Sequence, residues 1–383
     1  MATRLDRALN IEDLRQLARH RLPKSIFEFV DGGAQDEVTL HSNRHDFGRH
    51  VFLPRVLTDI SKRQLATTIL GSPAAVPLVL APTGLAGLLA REGELLASRA
   101  AARTGLPYCL STMATCSIEQ VAAASDVSRW FQLYVFKDRG ITGALIDRAK
   151  AAGCTALVLT VDTKFQGPRE HDMRNGFTVP PRLTARTFVD FVRHFGWLCD
   201  VGLGPKLTFR NFVGTAAGAR GVVSISQFVA GQYDLTVNYR DLEWFKAHWG
   251  GPVAVKGILT GEDAARAVDH GADGIIVSNH GGRQLDGAIS AIRALPRVVD
   301  AVGDRAEVIL DGGVRRGADV VKALCLGARA CMIGRAWLYG LAAGGEAGVR
   351  RALDILIHEM DIALGLLGRA SLAELDRACL DSA

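Results

Sequence analysis

The stretch GIIVSNHGG, residues 274–282, decides the fold, because an apolar run passes directly into a polar turn that contains two glycines. Apolar, β-branched runs are typical of strands buried on both faces, and strands of that kind are parallel. The turn places His280, and shortly afterwards Arg283, just beyond the strand. The stretch therefore predicts a buried parallel strand that carries chemically active side chains at its carboxyl end.

Eight such runs occur from Pro77 onward, and alanine-rich, helix-like segments separate them. Eight strand-then-helix units predict a TIM (β/α)8 barrel of the α/β class. An open, doubly wound sheet is the alternative, but no GxGxxG motif follows an early strand. The runs are PLVLAPTG, PYCLST, WFQLYV, ALVLTVD, PVAVKGI, GIIVSNHGG, EVILDGG and ACMIGRA.

Two segments interrupt this pattern. In the first, IEDLRQLARHRL (11–22) predicts a helix, and DGG (31–33) is typical of a helix stop. The second is a long segment after the fourth strand, residues 163–238. Long loops in compact barrels are usually functional. We expect one domain over residues 1–383, made of an N-terminal helical extension (1–76), the barrel (77–345), an insertion within it (163–238) and C-terminal helices (346–383).

The composition is that of a globular protein, with 48% hydrophobic and 22% charged residues. The net charge of +5 is small, so we expect no nucleic-acid partner. The seven cysteines contain no CxxC pair and several lie in apolar runs, which favours a reducing cytoplasm. The N-terminus MATRLDRALN lacks the apolar core of a secretion signal, and the longest uncharged run (74–90) is shorter than the ~20 residues of a spanning helix.

Polar side chains follow almost every predicted strand, and the carboxyl ends of barrel strands form the catalytic face. LDGGVRRG (310–317) and IGRA (333–336) combine glycines, arginines and helix starts, which favours a site for a phosphate-bearing cofactor. Ordinary structural turns are the alternative. Lys256 either reaches from a strand end to solvent or places a cation beside a cofactor ring that becomes anionic on reduction.

Three residues near strand ends indicate acid–base chemistry on a carboxylate. His280 is a candidate base near neutral pH, and Asp162 is a candidate partner that fixes its tautomer. Arg283 is suited to clamp a carboxylate. A histidine after a strand is often only structural, but a shared rim with an arginine and an aspartate favours a catalytic role.

The motifs SNHGGRQLDG, VKG, LDGGVRRG and IGRA occur in an order and spacing that resemble the FMN-dependent (S)-2-hydroxy acid oxidase and dehydrogenase family. APTG, LSTMATCSIE, WFQLYV and TVDTKFQGPREHDMRNGF are similar to it as well, and the resemblance runs from residue 21 to residue 349. The family includes glycolate oxidase, L-lactate dehydrogenase and mandelate dehydrogenase, and the last two resemble the chain most. The resemblance implies FMN as cofactor and oxidation of an (S)-2-hydroxy acid to the 2-oxo acid.

The resemblance also implies roles position by position. It makes His280 the base paired with Asp162, Arg169 and Arg283 the ligands of the substrate carboxylate, and Tyr134 a hydrogen-bond partner of the substrate. It assigns the ring and ribityl chain of FMN to Pro82, Thr83, Gly84, Ser111, Gln132, Thr160, Lys256 and Ser278. It assigns the phosphate end to Asp311, Gly313, Arg315, Gly334 and Arg335. Removal of the proton from the hydroxyl with hydride transfer, and removal from Cα, both remain open.

Three positions bear on the substrate and the electron acceptor. The family usually has tyrosine where the chain has Phe29, and the missing hydrogen bond to the substrate carboxylate is worth about 1.5–3 kcal/mol. We expect Phe29 to favour a bulky apolar or aryl substrate. Met113 either lines the pocket for the substrate side chain or belongs to the core. Gly84 replaces the alanine of oxidase-like members, which favours a dehydrogenase.

The insertion contains RLTARTFVDFVRHFGWLCDVGLGPKLTFR (182–210), where basic and aromatic residues mix. It is either a lid or a segment that contacts the inner membrane face, as in related lactate and mandelate dehydrogenases. The resemblance further implies a homo-oligomer, a tetramer by analogy, and leaves a quinone, a carrier protein and oxygen open as electron acceptors. No metal site is expected at His41, His45 and His50, because no cysteine or cluster of acidic ligands accompanies them.

Two other functions remain as alternatives. The first is a flavin barrel that oxidises a modified peptide or a redox-cofactor precursor, since an unusual substrate would be consistent with phenylalanine instead of tyrosine at position 29. A non-catalytic FMN-binding barrel is disfavoured because His280, Asp162, Arg169 and Arg283 occur together.

Overall fold

The computed structural model describes residues 4–176, 185–204, 207–212, 231 and 233–382. Its N-terminal extension is helical only in its first part. Asn10 caps the first helix by accepting a hydrogen bond from the backbone N–H of Asp13, and the second helix ends at Asp31, where the DGG signal predicts a stop. Three short strands, which the sequence analysis does not predict, follow the helices. The elements are α1 (Ile11–Arg21), α2 (Lys24–Asp31), α3 (Val38–His45), β1 (His50–Phe52), β2 (Thr67–Ile69) and β3 (Ser72–Ala74).

Eight parallel strands close into a barrel, and the predicted TIM barrel is thereby confirmed. Each strand comes from one of the eight apolar runs, and the last pairs with the first to close the ring. Almost every strand residue is buried, since one face fills the barrel and the other packs on helices. The strands are β4 (Leu78–Leu80), β5 (Tyr108–Ser111), β6 (Arg129–Leu133), β7 (Ala156–Thr160), β8 (Val253–Ile258), β9 (Gly274–Val277), β10 (Glu307–Asp311) and β11 (Ala330–Ile333).

The remaining helices surround the barrel and build the insertion. After α3 they are α4 (Gly93–Thr104), α5 (Ile118–Ala124), α6 (Arg139–Ala151), α7 (Glu170–Arg174), α8 (Ala185–Arg193), α9 (Phe195–Trp197), α10 (Arg240–Trp249), α11 (Gly261–Asp269), α12 (Ala291–Val302), α13 (Gly317–Cys325) and α14 (Arg335–Leu366). The last of these bends where the backbone of Gly344 and Gly345 leaves the helical conformation. The described chain ends in β12 (Leu380–Ser382), which runs antiparallel to β1.

The hairpin of β2 and β3 closes the amino-terminal end of the barrel. Ile69, Leu70 and Ala74 pack into one apolar cluster with side chains from inside the barrel. Two polar contacts fix the hairpin: the Trp130 indole N–H donates to Ser72 Oγ (3.1 Å), and the Leu70 N–H donates to Glu307 Oε2 (2.8 Å). Because apolar side chains fill this end, the space for a ligand lies at the opposite, carboxyl end of the strands.

The described part of the insertion contains α7, α8 and α9. Its two ends are joined where Lys164 Nζ donates to the carbonyl oxygen of Val237 (2.7 Å). Residues 182–184 and 205–206 of the predicted lid or membrane segment lie outside the described residues. Within the described ranges, no helix is long and apolar enough to cross a membrane.

Candidate active site

A cavity of about 360 Å³ opens at the carboxyl end of the barrel. Its volume falls in the range of roughly 300–1,000 Å³ that is usual for small-molecule sites. The structure brings most of the predicted site residues together on its wall. These are Phe29, Pro82, Thr83, Gly84, Met113, Tyr134, Arg169, Lys256, His280, Arg283, Asp311, Gly313, Arg315, Gly334 and Arg335.

The other predicted residues lie directly behind this wall. Ser111 Oγ donates to Gln132 Oε1 (3.0 Å) across β5 and β6, and Thr160 pairs in register with Lys256. Asp162 and Ser278, the remaining members of this group, contact His280. Asp162 and Ser278 therefore orient His280, which faces the cavity.

Buried polar atoms without protein partners indicate that a polar ligand belongs against these strand ends. Thr83 Oγ1, Gln132 Nε2 and Thr160 Oγ1 are buried, and none of them has a hydrogen-bond partner among the described residues. A buried polar group left unpaired costs about 1–3 kcal/mol. The three atoms include an amide donor and two hydroxyls, which suits the oxygen and nitrogen atoms at the edge of a flavin ring. These residues therefore fit FMN.

The last two strand ends carry positive charge and backbone donors, which an anionic group such as the phosphate of FMN would require. Gly313 has φ +84°, and Arg315 lies beside it on the cavity wall. The first N–H groups of α14, which starts at Arg335, have no intrahelical acceptor. The Arg335 guanidinium itself is engaged elsewhere, because it donates to the carbonyl oxygens of Val30, Gly281 and Gly32 (2.8–2.9 Å).

His280 and Asp162 form a hydrogen-bonded pair, with Nδ1 and Oδ1 3.0 Å apart. Burial lowers the pKa of His280 below its ordinary value of 6.5, although Asp162 opposes the shift. Burial works against the charge of Asp162, but His280 and Lys256 outweigh it and lower the pKa of this carboxyl. Because Asp162 is ionised and accepts the proton of Nδ1, the lone pair of neutral His280 lies on Nε2.

The backbone of His280 adopts a left-handed conformation, with φ +57°. A residue other than glycine pays about 1–2 kcal/mol for this geometry. Two contacts hold it there: the backbone N–H donates to Ser278 Oγ (3.0 Å), and the ring bonds to Asp162. The strain is thus balanced by contacts that aim the imidazole.

Lys256 provides a buried positive charge and is only 4% exposed. Its Nζ lies 2.7 Å from Asp311 Oδ2 and donates to Ser278 Oγ (3.0 Å). Burial opposes the charge, but Asp311 and Asp162 raise the pKa of Lys256 above its ordinary value. Lys256 therefore stays protonated, and Ser278 connects it to the backbone of His280.

Arg169 and Arg283 place two guanidinium groups in the cavity. Arg283 Nη1 donates to the carbonyl oxygens of Phe29 (2.6 Å) and Gly32 (2.9 Å), and Arg169 makes only long contacts of 3.4–3.5 Å with the loop after β9. Neither has a carboxylate within 4 Å in the part of the chain that the structure describes. Burial lowers the pKa of both, and in Arg283 the charges of Arg169 and Arg335 add to the effect. The pair is thus electrostatically suited to an anion.

An aromatic wall faces these cations. The Phe29 ring lies 5.2 Å from the Arg283 guanidinium carbon, in cation–π contact. Tyr134 packs edge-on against Tyr233 at 5.5 Å, and burial raises the pKa of its hydroxyl, which therefore stays a neutral donor. Met113 is half-buried on the same wall, so its side chain belongs to the cavity as well as to the adjoining core.

Sequence reasoning misses several residues of the cavity. Asp172 and Tyr233 come from the insertion, where no strand end marks a position as part of the site. Gln284 lies inside the SNHGGRQLDG motif, and its side chain donates to the carbonyl oxygens of Asp162 (2.8 Å) and Phe165 (2.7 Å). Its position within this motif is the sequence signal that could have identified Gln284 as a site residue. Among the described residues, no group of His, Cys, Asp or Glu side chains is arranged to hold a metal ion.

The sequence model that describes the FMN-dependent dehydrogenase family matches residues 18–382 of the chain. The chain belongs to this family. The predicted resemblance is thereby confirmed, as are FMN as the cofactor and an oxidoreductase as the class of enzyme. This FMN-dependent dehydrogenase is 46% identical over 369 residues to the L-lactate dehydrogenase of Caulobacter vibrioides (strain NA1000 / CB15N), a match that covers 96% of each chain.

Solved structures resemble this FMN-dependent dehydrogenase over almost its whole length. The monotopic membrane protein (S)-mandelate dehydrogenase superimposes with a TM-score of 0.95 at 40% identity, over 98% of this chain and 100% of the other. Mandelate oxidase with (S)-4-hydroxymandelic acid gives a TM-score of 0.85 at 39% identity, over 98% of each chain.

The close approach at Gly313 provides a test of the phosphate end. A Cβ at Gly313 would lie 1.9 Å from the Asn43 carbonyl oxygen, so Gly313→Ala should displace the turn. We expect the purified variant to contain less than about half of the wild-type FMN, measured as flavin absorbance per protein. Gly287→Ala is the control, because Gly287 also has a positive φ (+78°) but meets nothing within 4 Å. Equal FMN in both variants would refute this role.

Proposed function

We propose that this FMN-dependent dehydrogenase oxidises an (S)-2-hydroxy acid with an aryl or bulky apolar side chain to the 2-oxo acid, with His280 as the base. One observation carries the proposal: His280, hydrogen-bonded to Asp162, faces the same cavity as two arginines that have no carboxylate partner among the described residues. This arrangement supplies a base and an anion site for one small molecule.

The arginines fix the orientation of the substrate. Its carboxylate binds Arg169 and Arg283, whose charges are buried and therefore interact strongly with an anion. The neutral Tyr134 hydroxyl donates a further hydrogen bond to the substrate. With the carboxylate held, the 2-hydroxyl and the hydrogen on Cα take fixed positions.

His280 removes the proton of the 2-hydroxyl through Nε2. Asp162 holds Nδ1–H at 3.0 Å and stabilises the imidazolium that proton transfer creates. FMN held by the residues described above would supply the acceptor for the hydride that leaves Cα. Lys256 keeps a permanent positive charge at the base of the cavity, which favours negative charge that develops there.

Gly84 supports a dehydrogenase rather than an oxidase. An added Cβ at this position would lie 3.0 Å from Met113 Cβ. An alanine here would therefore crowd Met113, which lines the cavity. We propose that electrons pass to a carrier other than oxygen, such as a quinone or a carrier protein. Assembly into a homo-oligomer stays a prediction from the family resemblance.

Anaerobic flavin reduction tests the reaction and its base. Holoenzyme mixed with (S)-mandelate should lose its visible flavin absorbance within a turnover, and (S)-lactate should act more slowly. The rate should be constant around neutral pH and fall as the pH drops through the lowered pKa of His280, because the base must be unprotonated. Asp162→Asn should reduce the rate by about 10²–10⁴-fold.

The matched control for this experiment is His45→Gln. The side chain of His45 is exposed and lies away from the cavity, so neither the rate nor its pH dependence should change. Flavin that stays oxidised with every 2-hydroxy acid would contradict the proposed function. It would favour a different substrate, such as a modified peptide, or a binding role.

Phe29 is proposed to select the substrate side chain. Its ring covers Arg283 and faces the cavity, so an aryl group gains contact area there while the carboxylate gains no hydrogen bond. Phe29→Tyr should therefore raise kcat/KM for lactate roughly tenfold or more, and for mandelate less. Phe165→Tyr is the control, since Phe165 lies on the rim and is 76% exposed. An equal change for both acids would refute this selection.

We propose peripheral contact with the inner membrane face through α8 and α9. Phe188 is 66% and Phe195 68% exposed, and Val189 and Val192 are exposed beside them. The other side of the segment is fixed, because Asp190 accepts a hydrogen bond from the Lys24 backbone N–H (2.7 Å) and the Trp197 indole donates to the Leu88 carbonyl (2.7 Å). An apolar patch of this kind suits the headgroup layer of a bilayer.

Vesicle binding tests the membrane proposal. The double variant Phe188→Ser, Phe195→Ser should lose most of its co-sedimentation with vesicles that contain phosphatidylglycerol, because each substitution removes apolar area from the interface. Leu366→Ser is the control, since Leu366 is 74% exposed on a different helix. Flavin reduction should stay normal in both. Unchanged sedimentation of the double variant would favour a lid instead.

A further inference from the structure

A buried carboxylate that the reaction above does not use lies in the same cavity. Asp172 lies in the first turn of α7, three residues after Arg169, and lines the cavity. It is only 7% exposed. Its carboxylate makes no hydrogen bond or ion pair within 4 Å to any described residue.

The charges around Asp172 come from three parts of the chain. Arg283, from the loop after β9, and Arg169 and His171, from its own segment, favour its negative charge. Glu28 of α2 opposes it. Burial has the largest effect and raises the pKa of Asp172 above its ordinary value. Asp172 therefore lies in the field of the same two arginines that bind the substrate carboxylate.

We propose that Asp172 is a specificity-determining residue that acts as the resident counter-ion of Arg169 and Arg283 and restricts the site to monocarboxylate substrates. The inference rests on the proposed function, since it requires these arginines to bind the substrate. The charge count gives the reason. At a pH where Asp172 is ionised, the two guanidinium groups balance Asp172 and one substrate carboxylate, and a second carboxylate on the substrate leaves an unbalanced negative charge in the cavity.

Substrate binding and protonation of Asp172 are then linked. A carboxylate that binds the arginines repels Asp172, which favours the protonated form of Asp172 in the complex. Binding of a carboxylate at mildly acidic pH is therefore accompanied by proton uptake. His280 also faces the bound anion, so the contribution of Asp172 is the difference between wild type and a variant without its charge.

Binding of a 2-oxo acid to the oxidised holoenzyme separates these effects, because it involves no turnover. Phenylglyoxylate is titrated by calorimetry at mildly acidic pH in two buffers with different ionisation enthalpies, which gives both Kd and the number of protons taken up. Asp172→Asn should bind about tenfold or more tightly, since removal of the repulsion strengthens the anion site. It should also take up fewer protons than the wild type.

Two further variants separate charge from shape. Asp172→Glu keeps the carboxylate and should retain wild-type affinity within a few-fold. Glu170→Gln is the matched control, because Glu170 is an exposed residue of the same helix whose partner is Arg174. It should change neither Kd nor proton uptake. FMN content and melting temperature, measured for every variant, show that each protein is folded and loaded.

The substrate range gives an independent readout. Asp172→Asn should raise kcat/KM for the dicarboxylate (S)-malate relative to (S)-mandelate, by about tenfold. Unchanged or weaker binding of phenylglyoxylate to folded, FMN-loaded Asp172→Asn would overturn the inference while the proposed function stands. Failure of the wild type itself to bind phenylglyoxylate would contradict the carboxylate site, and both proposals with it.

Discussion

The site depends on two half-buried guanidinium groups that bind the carboxyl terminus of α2. Arg283 and Arg335 together donate to the carbonyl oxygens of Phe29, Val30 and Gly32. The last carbonyls of a helix have no intrahelical donor and carry partial negative charge, so cations bind well there. This contact holds the N-terminal extension over the barrel. It also puts the Phe29 ring on the cavity wall and places Arg283 at the proposed substrate position.

This contact has an electrostatic cost, because it removes the positive charges of the arginines from water. Buried cations need anions, and the described part of the cavity gives them few. Lys256 is neutralised by Asp311 in direct contact, whereas Arg169 and Arg283 have only the more distant Asp172. The protein thus pairs Lys256, at the proposed site of the FMN ring, firmly and leaves the two arginines, at the proposed substrate end, available. That difference in pairing separates the cofactor half of the cavity from its substrate half.

Most of the barrel and of the reactive residues follow from local sequence, because each lies at the end of an apolar run. His280, Lys256 and Asp162 are predictable for this reason, and the barrel geometry then brings them together. Asp172 and Tyr233 are not, since the insertion has no periodic pattern that marks the side facing the cavity. Long-range contacts are also missed. The pairing of β1 with β12 joins opposite ends of the chain, and the use of the Arg335 side chain to bind α2 is invisible in the IGRA motif.

The hairpin of β2 and β3 has a consequence for how the chain folds as it is synthesised. It precedes every barrel strand, yet its apolar side chains are covered only by the interior of a ring that closes when β11 pairs with β4. Until about residue 333 has emerged, both the hairpin and the open edges of the sheet lack their partners. Contacts this distant in sequence form slowly. The nascent chain therefore spends most of its synthesis with exposed apolar surface, the condition under which chaperones are needed.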